Sequence, residues 1–294
     1  MASKNNNSST KEKSITRQIY EDIESGKIKK LTLSDTFKFE CNKCGKCCHN
    51  IDILLTSYDI MRLCDNLNIT SSEFLKKYGH SYLGPESGLP ITTIRFNDDG
   101  SCPFLSQNGC IVYKDRSGAC RSYPIGRMID YDGKASYFLM PPSGYCPVPS
   151  TKNEHTLQDW LDKNEIEKYH KINDRFIHIL FKLTKSKIGD SDNRILGVIG
   201  QVLYNYDFVL PPYAEKYCLP VPKTHDEKFS MIERLTDELV DIITNARAEI
   251  KARRENLLWK GDNIKMWKIN NENGFTQSSS KNIITHHVSL IEAE

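Results

Sequence analysis

The sequence predicts an α+β protein, with a small loop-rich cysteine-cluster metal domain followed by a mainly helical C-terminal region. Three observations carry that expectation. Cys41, Cys44, Cys47, Cys48, Cys102, Cys110, Cys120 and Cys146 crowd into one part of the chain. The same part reads as short helices, strands and turns. After Pro149 the apolar residues recur at helical spacing instead. On this pattern the chain divides into a polar N-terminal segment with a short helix (1–37), a metal-binding domain (38–150), a helical region (151–260) and a polar tail (261–294).

The elements follow in order. "SITRQIYEDIES" reads as a short helix that Gly26 ends. Thr56 with Asp59 three residues later forms a capping-box pattern, after which Ile60, Leu63, Cys64 and Leu67 repeat at helical spacing. Cys64 is therefore a small core hydrophobe, and Cys218, in a proline-rich loop, is read as structural too. Thr70 or Ser71 opens "SEFLKKY", closed by Gly79. "PITTIRF" alternates as a strand, and "IGRMIDYDGKASYFLM" reads as a hairpin whose Asp132-Gly133 suits a two-residue loop. Much of the order in this half is expected to come from metal.

In the second half Thr156 caps "LQDWLDKN". A long helix then places Ile166, Tyr169, Ile172, Phe176, Ile179, Leu180 and Leu183 on one face. Ile195, Ile199, Val202 and Tyr206 mark the next, in which Gly197 and Gly200 predict close helix packing. "VLPPYAEKYCLPVPKTHD" reads as a loop. Ile232, Leu235, Leu239, Ile242 and Ala246 then form a stripe expected to pack inside the molecule's own bundle.

Composition narrows the setting. Net charge is +2, with 38% hydrophobic and 27% charged residues, so nothing calls for nucleic acid or an anionic membrane as partner. No apolar run reaches membrane-spanning length, and the polar "MASKNNNSSTKEKS" start has no signal-peptide pattern. A cytoplasmic protein is expected. In a reducing compartment clustered thiols bind metal or do redox chemistry rather than form a disulfide framework.

The spacing of the thiols separates the metals. Cys41, Cys44 and Cys47 form C-x2-C-x2-C, the first three ligands of a ferredoxin-type run that a remote Cys-Pro completes. Cys102-Pro103 and Cys146-Pro147 supply two such pairs. Structural zinc sites usually pair two C-x2-4-C knuckles, and Cys102, Cys110 and Cys120 form no second knuckle. An iron–sulfur cluster, most simply [4Fe–4S], is therefore expected ahead of zinc. Adjacent side chains diverge, so of Cys47 and Cys48 one is expected to serve a second site or stay free. His49 fits a second-sphere donor better than a ligand. No phosphate-binding glycine loop, Ser-His-Asp set or paired carboxylates can be isolated.

"FECNKCGKCCHNIDILLTSYDIMRL" and "GSCPFLSQNGCIVYKDRSGACRSYPIG" resemble the CxxCxxCC family of zinc- or iron-chelating domain proteins, which includes the flagellin lysine N-methylases. The resemblance runs over about residues 38–127. It maps the metal ligands onto Cys41, Cys44, Cys47, Cys48, Cys102, Cys110 and Cys120, with Cys146 added by its Cys-Pro. It implies metal binding and, through the methylases, transfer of a methyl group from S-adenosylmethionine to the lysine of a protein substrate. The alternative is a non-catalytic module for redox, storage or assembly. One departure is local: the family's Arg-Pro is Arg116-Ser117 here, which predicts a looser turn before Cys120.

Overall fold

A computed structural model describes residues 15–41, 45–140 and 152–259. Helix α1 (Ile15–Glu24) is ended by Gly26 at φ 77°, as the sequence predicts. Two short strands follow, β1 (Lys30–Leu31) and β2 (Thr36–Lys38), and after the cysteine loop β3 (Leu54–Leu55). Helix α2 (Ser57–Leu67) starts on the expected capping box: Thr56 accepts from the Asp59 N–H, and Asp59 accepts from the Thr56 N–H. The same device, Thr70 with Glu73, starts α3 (Ser71–Tyr78). Gly79 ends it in extended backbone rather than a left-handed turn, because the chain runs straight into β4 (Gly79–Leu83).

β5 (Pro90–Ile94) lies between β3 and β4 in an antiparallel sheet. The hairpin β6 (Leu105–Ser106) and β7 (Gly109–Cys110) precedes the one-turn helix α4 (Gly118–Ser122). β8 (Ile125–Ile129) and β9 (Ala135–Leu139) form the expected hairpin, and β1 adds to its edge. Its loop is longer than expected. Asp130 N–H donates to Lys134 C=O, leaving Tyr131, Asp132 and Gly133 in a three-residue loop with Gly133 at φ 79°. Such loops place their left-handed residue last, where glycine costs nothing. β10 (Glu154–Thr156) pairs with β2.

The helical region follows as α5 (Leu157–Lys163), α6 (Ile166–Lys185), α7 (Asn193–Tyr204), α8 (Tyr206–Lys216) and α9 (His225–Trp259). Helices with small antiparallel sheets make the fold α+β, strand-rich first and helical after. Among the described residues no helix is long and apolar enough to cross a membrane.

Four expectations are corrected here. α8 occupies part of the predicted loop despite Pro211 and Pro212 in its interior. Each proline removes an N–H donor, but Leu210, Tyr213 and Ala214 are buried, and that tertiary burial outweighs the local penalty. On α9 the buried line is Phe229, Ile232, Thr236 and Val240, while Ile242 is 63% exposed. The stripe is rotated and only its N-terminal part packs in the bundle. Gly200 does allow a close approach, but to Pro90 of β5 (3.3 Å from a built Cβ) rather than to a helix, and Gly197 faces open space. Cys64 is buried as predicted, whereas Cys218 is exposed at φ 52° and packs in no core.

The main core joins both halves of the chain. Ile53, Ile60, Leu63, Phe74 and Phe104 pack with Phe176, Ile179, Leu183, Ile199 and Phe229. A second core of Phe37, Phe39, Ile125, Leu157 and Trp160 lies under β2 and β10. It holds the chain where it enters the cysteine loop. Phe39 meets Tyr123 at 5.6 Å and Trp160 at 5.5 Å edge-on, and the His155 Nε2–H donates to its carbonyl at 3.1 Å.

Candidate metal centre

The knuckle begins with a glycine for a backbone reason. Gly45 sits at φ 70°, a conformation that favours residues without a Cβ, and lets the chain turn into a 3-10 helix over Lys46–Cys48. Its carbonyl accepts from the Cys48 N–H at 2.9 Å and from His49 Nδ1 at 3.0 Å. A carbonyl only accepts, so Nδ1 carries the proton and His49 braces the knuckle from outside. Cys41 is exposed at the entrance. Cys44 and Cys146 lie outside the described residues.

The remote thiols are brought in by backbone pairing. Cys102 N–H donates to Cys48 C=O and Asn50 N–H to Gly100 C=O, both at 2.8 Å, and His49 bridges Ser101. This short ladder sets buried Cys102 beside the knuckle. Phe104, buried in the main core, anchors the segment that follows Pro103. The β6–β7 hairpin then folds Cys110 back opposite Leu105, whose side chain lies 3.1 Å from a Cβ built on Gly45.

Cys120 comes from α4, which is fixed from three sides. Asp59, fully buried, accepts from the Gly118 N–H at 2.8 Å with one oxygen and from Thr56 N–H at 3.0 Å with the other. Ser117 accepts from the Cys120 N–H and caps the helix. The Arg116-Ser117 departure is thus a buried hydrogen-bonded cap, not the looser turn expected. Arg121, 7% exposed, donates to Lys114 C=O and, at 3.1 Å, to Asn164 C=O, and lies 4.4 Å over the Tyr169 ring. Arg62 stands 5.4 Å from the same ring and pairs with Asp115. None of Asp59, Ser117, Arg121 or Tyr169 was singled out as a site residue from sequence. The one available signal was that Asp59 belongs to a capping box whose second oxygen had no assigned partner.

Five thiols from three segments therefore lie within electrostatic reach of one another: Cys47, Cys48, Cys102, Cys110 and Cys120. Each feels the charge of others in the set. The neighbouring Cys48 thiol is the main influence that brings Cys47 down to about 7 against the effect of burial, with a backbone N–H and His49 assisting. Cys48 is pushed up by its neighbour Cys47, by burial and by the Cys102 and Cys120 thiols. Both cysteines lie on the 3-10 turn Lys46–Cys48. Burial pushes Cys102 up to about 11 and Cys120 up to about 12, and raises Cys110 as well.

A half-buried group of mutually repelling thiols suits a thiophilic cation. Positive charge at their centre turns each repulsion into an attraction and displaces the protons. Among the described residues no three His, Cys, Asp or Glu side chains stand as a ready-made single-ion site.

Residues 40–147 match the CxxCxxCC family, described as "Putative zinc- or iron-chelating domain". No curated protein and no solved structure matches the chain. The grouping of the thiols and this match agree on metal binding.

Proposed function

We propose that the chain is a cytoplasmic metal-binding protein whose cysteine site holds an iron–sulfur cluster of the [4Fe–4S] type. The supporting observation is the number and origin of the thiols. A tetrahedral zinc takes four ligands, whereas five thiols already lie within electrostatic reach of one another among the described residues, with Cys41 at the entrance. The C-x2-C-x2-C run of Cys41, Cys44 and Cys47 with remote Cys-Pro pairs at Cys102 and Cys146 supports the same reading. In it the eight cysteines form the ligand pool, His49 orients the knuckle, and Asp59 with Arg121 holds Cys120 in place.

A bound cluster supplies electron transfer or, at an iron with an open position, binding of a substrate group. The resemblance to the flagellin lysine N-methylases gives the catalytic form of this proposal: methyl transfer from S-adenosylmethionine to the lysine of a protein partner. The alternative is a zinc- or iron-chelating module without turnover.

Anaerobic purification with metal and sulfide analysis tests the proposal. Brown protein containing iron and acid-labile sulfide is the expected result. Colourless, fully folded protein with stoichiometric zinc overturns it. Titration of loaded protein with S-adenosylmethionine then tests the catalytic form, which predicts a changed visible spectrum and a raised melting temperature. If saturating donor changes neither, the chelating module stands in its place.

A further inference from the structure

A second site is built on the strands that follow the knuckle. Leu54 lies opposite Thr93 across β3 and β5, and His80 lies opposite Thr93 across β5 and β4. Both pairings run on past the strand ends. Ile94 N–H donates to Ile53 C=O at 3.0 Å, and Arg95 N–H to Tyr78 C=O at 2.7 Å. One more step of the first register sets Asp52 beside Arg95. Residues two apart share a face, so Asp52, His80, Thr93 and Arg95 all project to one side of the sheet. Pro90, Thr92 and Ile94 point to the other side, towards α7. The polar side lines a cleft of about 360 Å³, with Asn50 at its rim.

The charges in the cleft are opposed but not spent on each other. Half-buried Asp52 makes no hydrogen bond or ion pair with another described residue, and the charged group that acts on it is His80. Arg95 uses one N–H on the Lys76 carbonyl at 2.8 Å and pairs with no carboxylate among the described residues. A carboxylate and a guanidinium on neighbouring strands usually close into a pair. Here both line one cleft and no pair forms. An anion alone would satisfy Arg95 and be repelled by Asp52, and a cation alone would meet the reverse.

We propose that this cleft binds a small zwitterion, the ammonium and carboxylate of a free amino acid or of a ligand carrying an amino-acid head group. The ammonium sits on Asp52 and the carboxylate on Arg95, with the Asn50 amide and the His80 ring as further hydrogen-bond partners. Burial raises the Asp52 carboxyl, in keeping with a carboxylate that lacks its cation. The volume falls in the range of small-ligand sites. The cleft also adjoins the metal centre. Asn50 and Asp52 lie two and four residues after Cys48, and the Cys102–Cys48 and Asn50–Gly100 hydrogen bonds tie their segment to the cysteine loop.

The test is calorimetric titration of the full-length, metal-loaded protein with each free proteinogenic L-amino acid. At least one is expected to saturate with a Kd of about 1 mM or tighter. Asp52→Asn and Arg95→Gln should each weaken that binding about tenfold or more, and Arg95→Lys should weaken it less. N-acetylation or amidation of the same amino acid should cost the unaltered protein a similar factor, a readout independent of how the variants fold. The proposal is overturned if no amino acid saturates, if binding survives both charge removals, or if the blocked forms bind equally well. Zinc-loaded protein serves in the same titration, so the outcome does not depend on which metal the cysteines hold.

Discussion

Asp59 is the residue on which the local start of a helix and the geometry of the metal centre meet, so its removal separates two roles. In Asp59→Ala the buried Thr56 N–H and the partly buried Gly118 N–H both lose their acceptor. Each orphaned donor costs about 1–3 kcal/mol, which gives about 2–6 kcal/mol for the two. The wild-type carboxyl is itself raised by burial, and deleting it recovers part of that desolvation. A net loss of about 2–4 kcal/mol is therefore expected. Glu73→Ala is the internal control, since Glu73 completes the same capping box at the exposed start of α3 and touches no part of the metal centre. Urea unfolding of both variants, with metal affinity measured by chelator competition, should show the larger stability loss in Asp59→Ala. Weaker metal binding should appear there alone, because Gly118 leads directly into Cys120. Equal stability losses, or unchanged metal affinity in Asp59→Ala, would refute the claim that the second oxygen of this cap positions α4.

Cys64→Ala should keep its metal and lose on the order of 1 kcal/mol of packing, while Cys102→Ala should release metal and destabilise the protein by several kcal/mol. Metal loss in Cys64→Ala, read by elemental analysis, would show the two residues to be wrongly divided. Burial and then Arg127 hold the His170 imidazole down from 6.5 to about 3, against the opposing pull of Asp174. The fold thus favours the neutral ring, whose contribution is complete above pH 6.5 and lost as pH falls towards 3, by at most about 1.4 kcal/mol per pH unit. His170→Gln should therefore gain on the wild type as pH is lowered through that window. A stability difference that stays flat in paired unfolding curves would contradict this.

Much of the helical framework was legible because its signals are short-range. A capping residue and its partner lie three positions apart, and an apolar face declares itself within two turns. Hence the starts of α2 and α5 and the buried face of α6 could be read directly from Thr56, Thr156 and the Ile166–Leu183 spacing. The cysteine clustering and its chemistry were legible for the same reason, since four thiols within Cys41–Cys48 need no fold to be noticed. α8 was not, because whether Pro211 and Pro212 can sit in a helix depends on how much Leu210, Tyr213 and Ala214 bury. The rotation of the α9 stripe was also hidden, since Ile242 and Val240 look equally apolar until neighbouring helices choose between them.

Sequence by itself determined that this chain has a thiol-rich metal-binding part, which cysteines could serve it, and that helices follow. Tertiary structure alone decided how those cysteines meet. Cys102 joins the knuckle through a backbone bond to Cys48, and Cys120 is set by a carboxylate 59 residues away from the glycine it binds. It also decided that Asp52 and Arg95 face one cleft without pairing. The physical reason is one of range. Spacing along a chain fixes which groups can be neighbours within a turn, but hydrogen bonds between distant segments form only after a common core has brought those segments together.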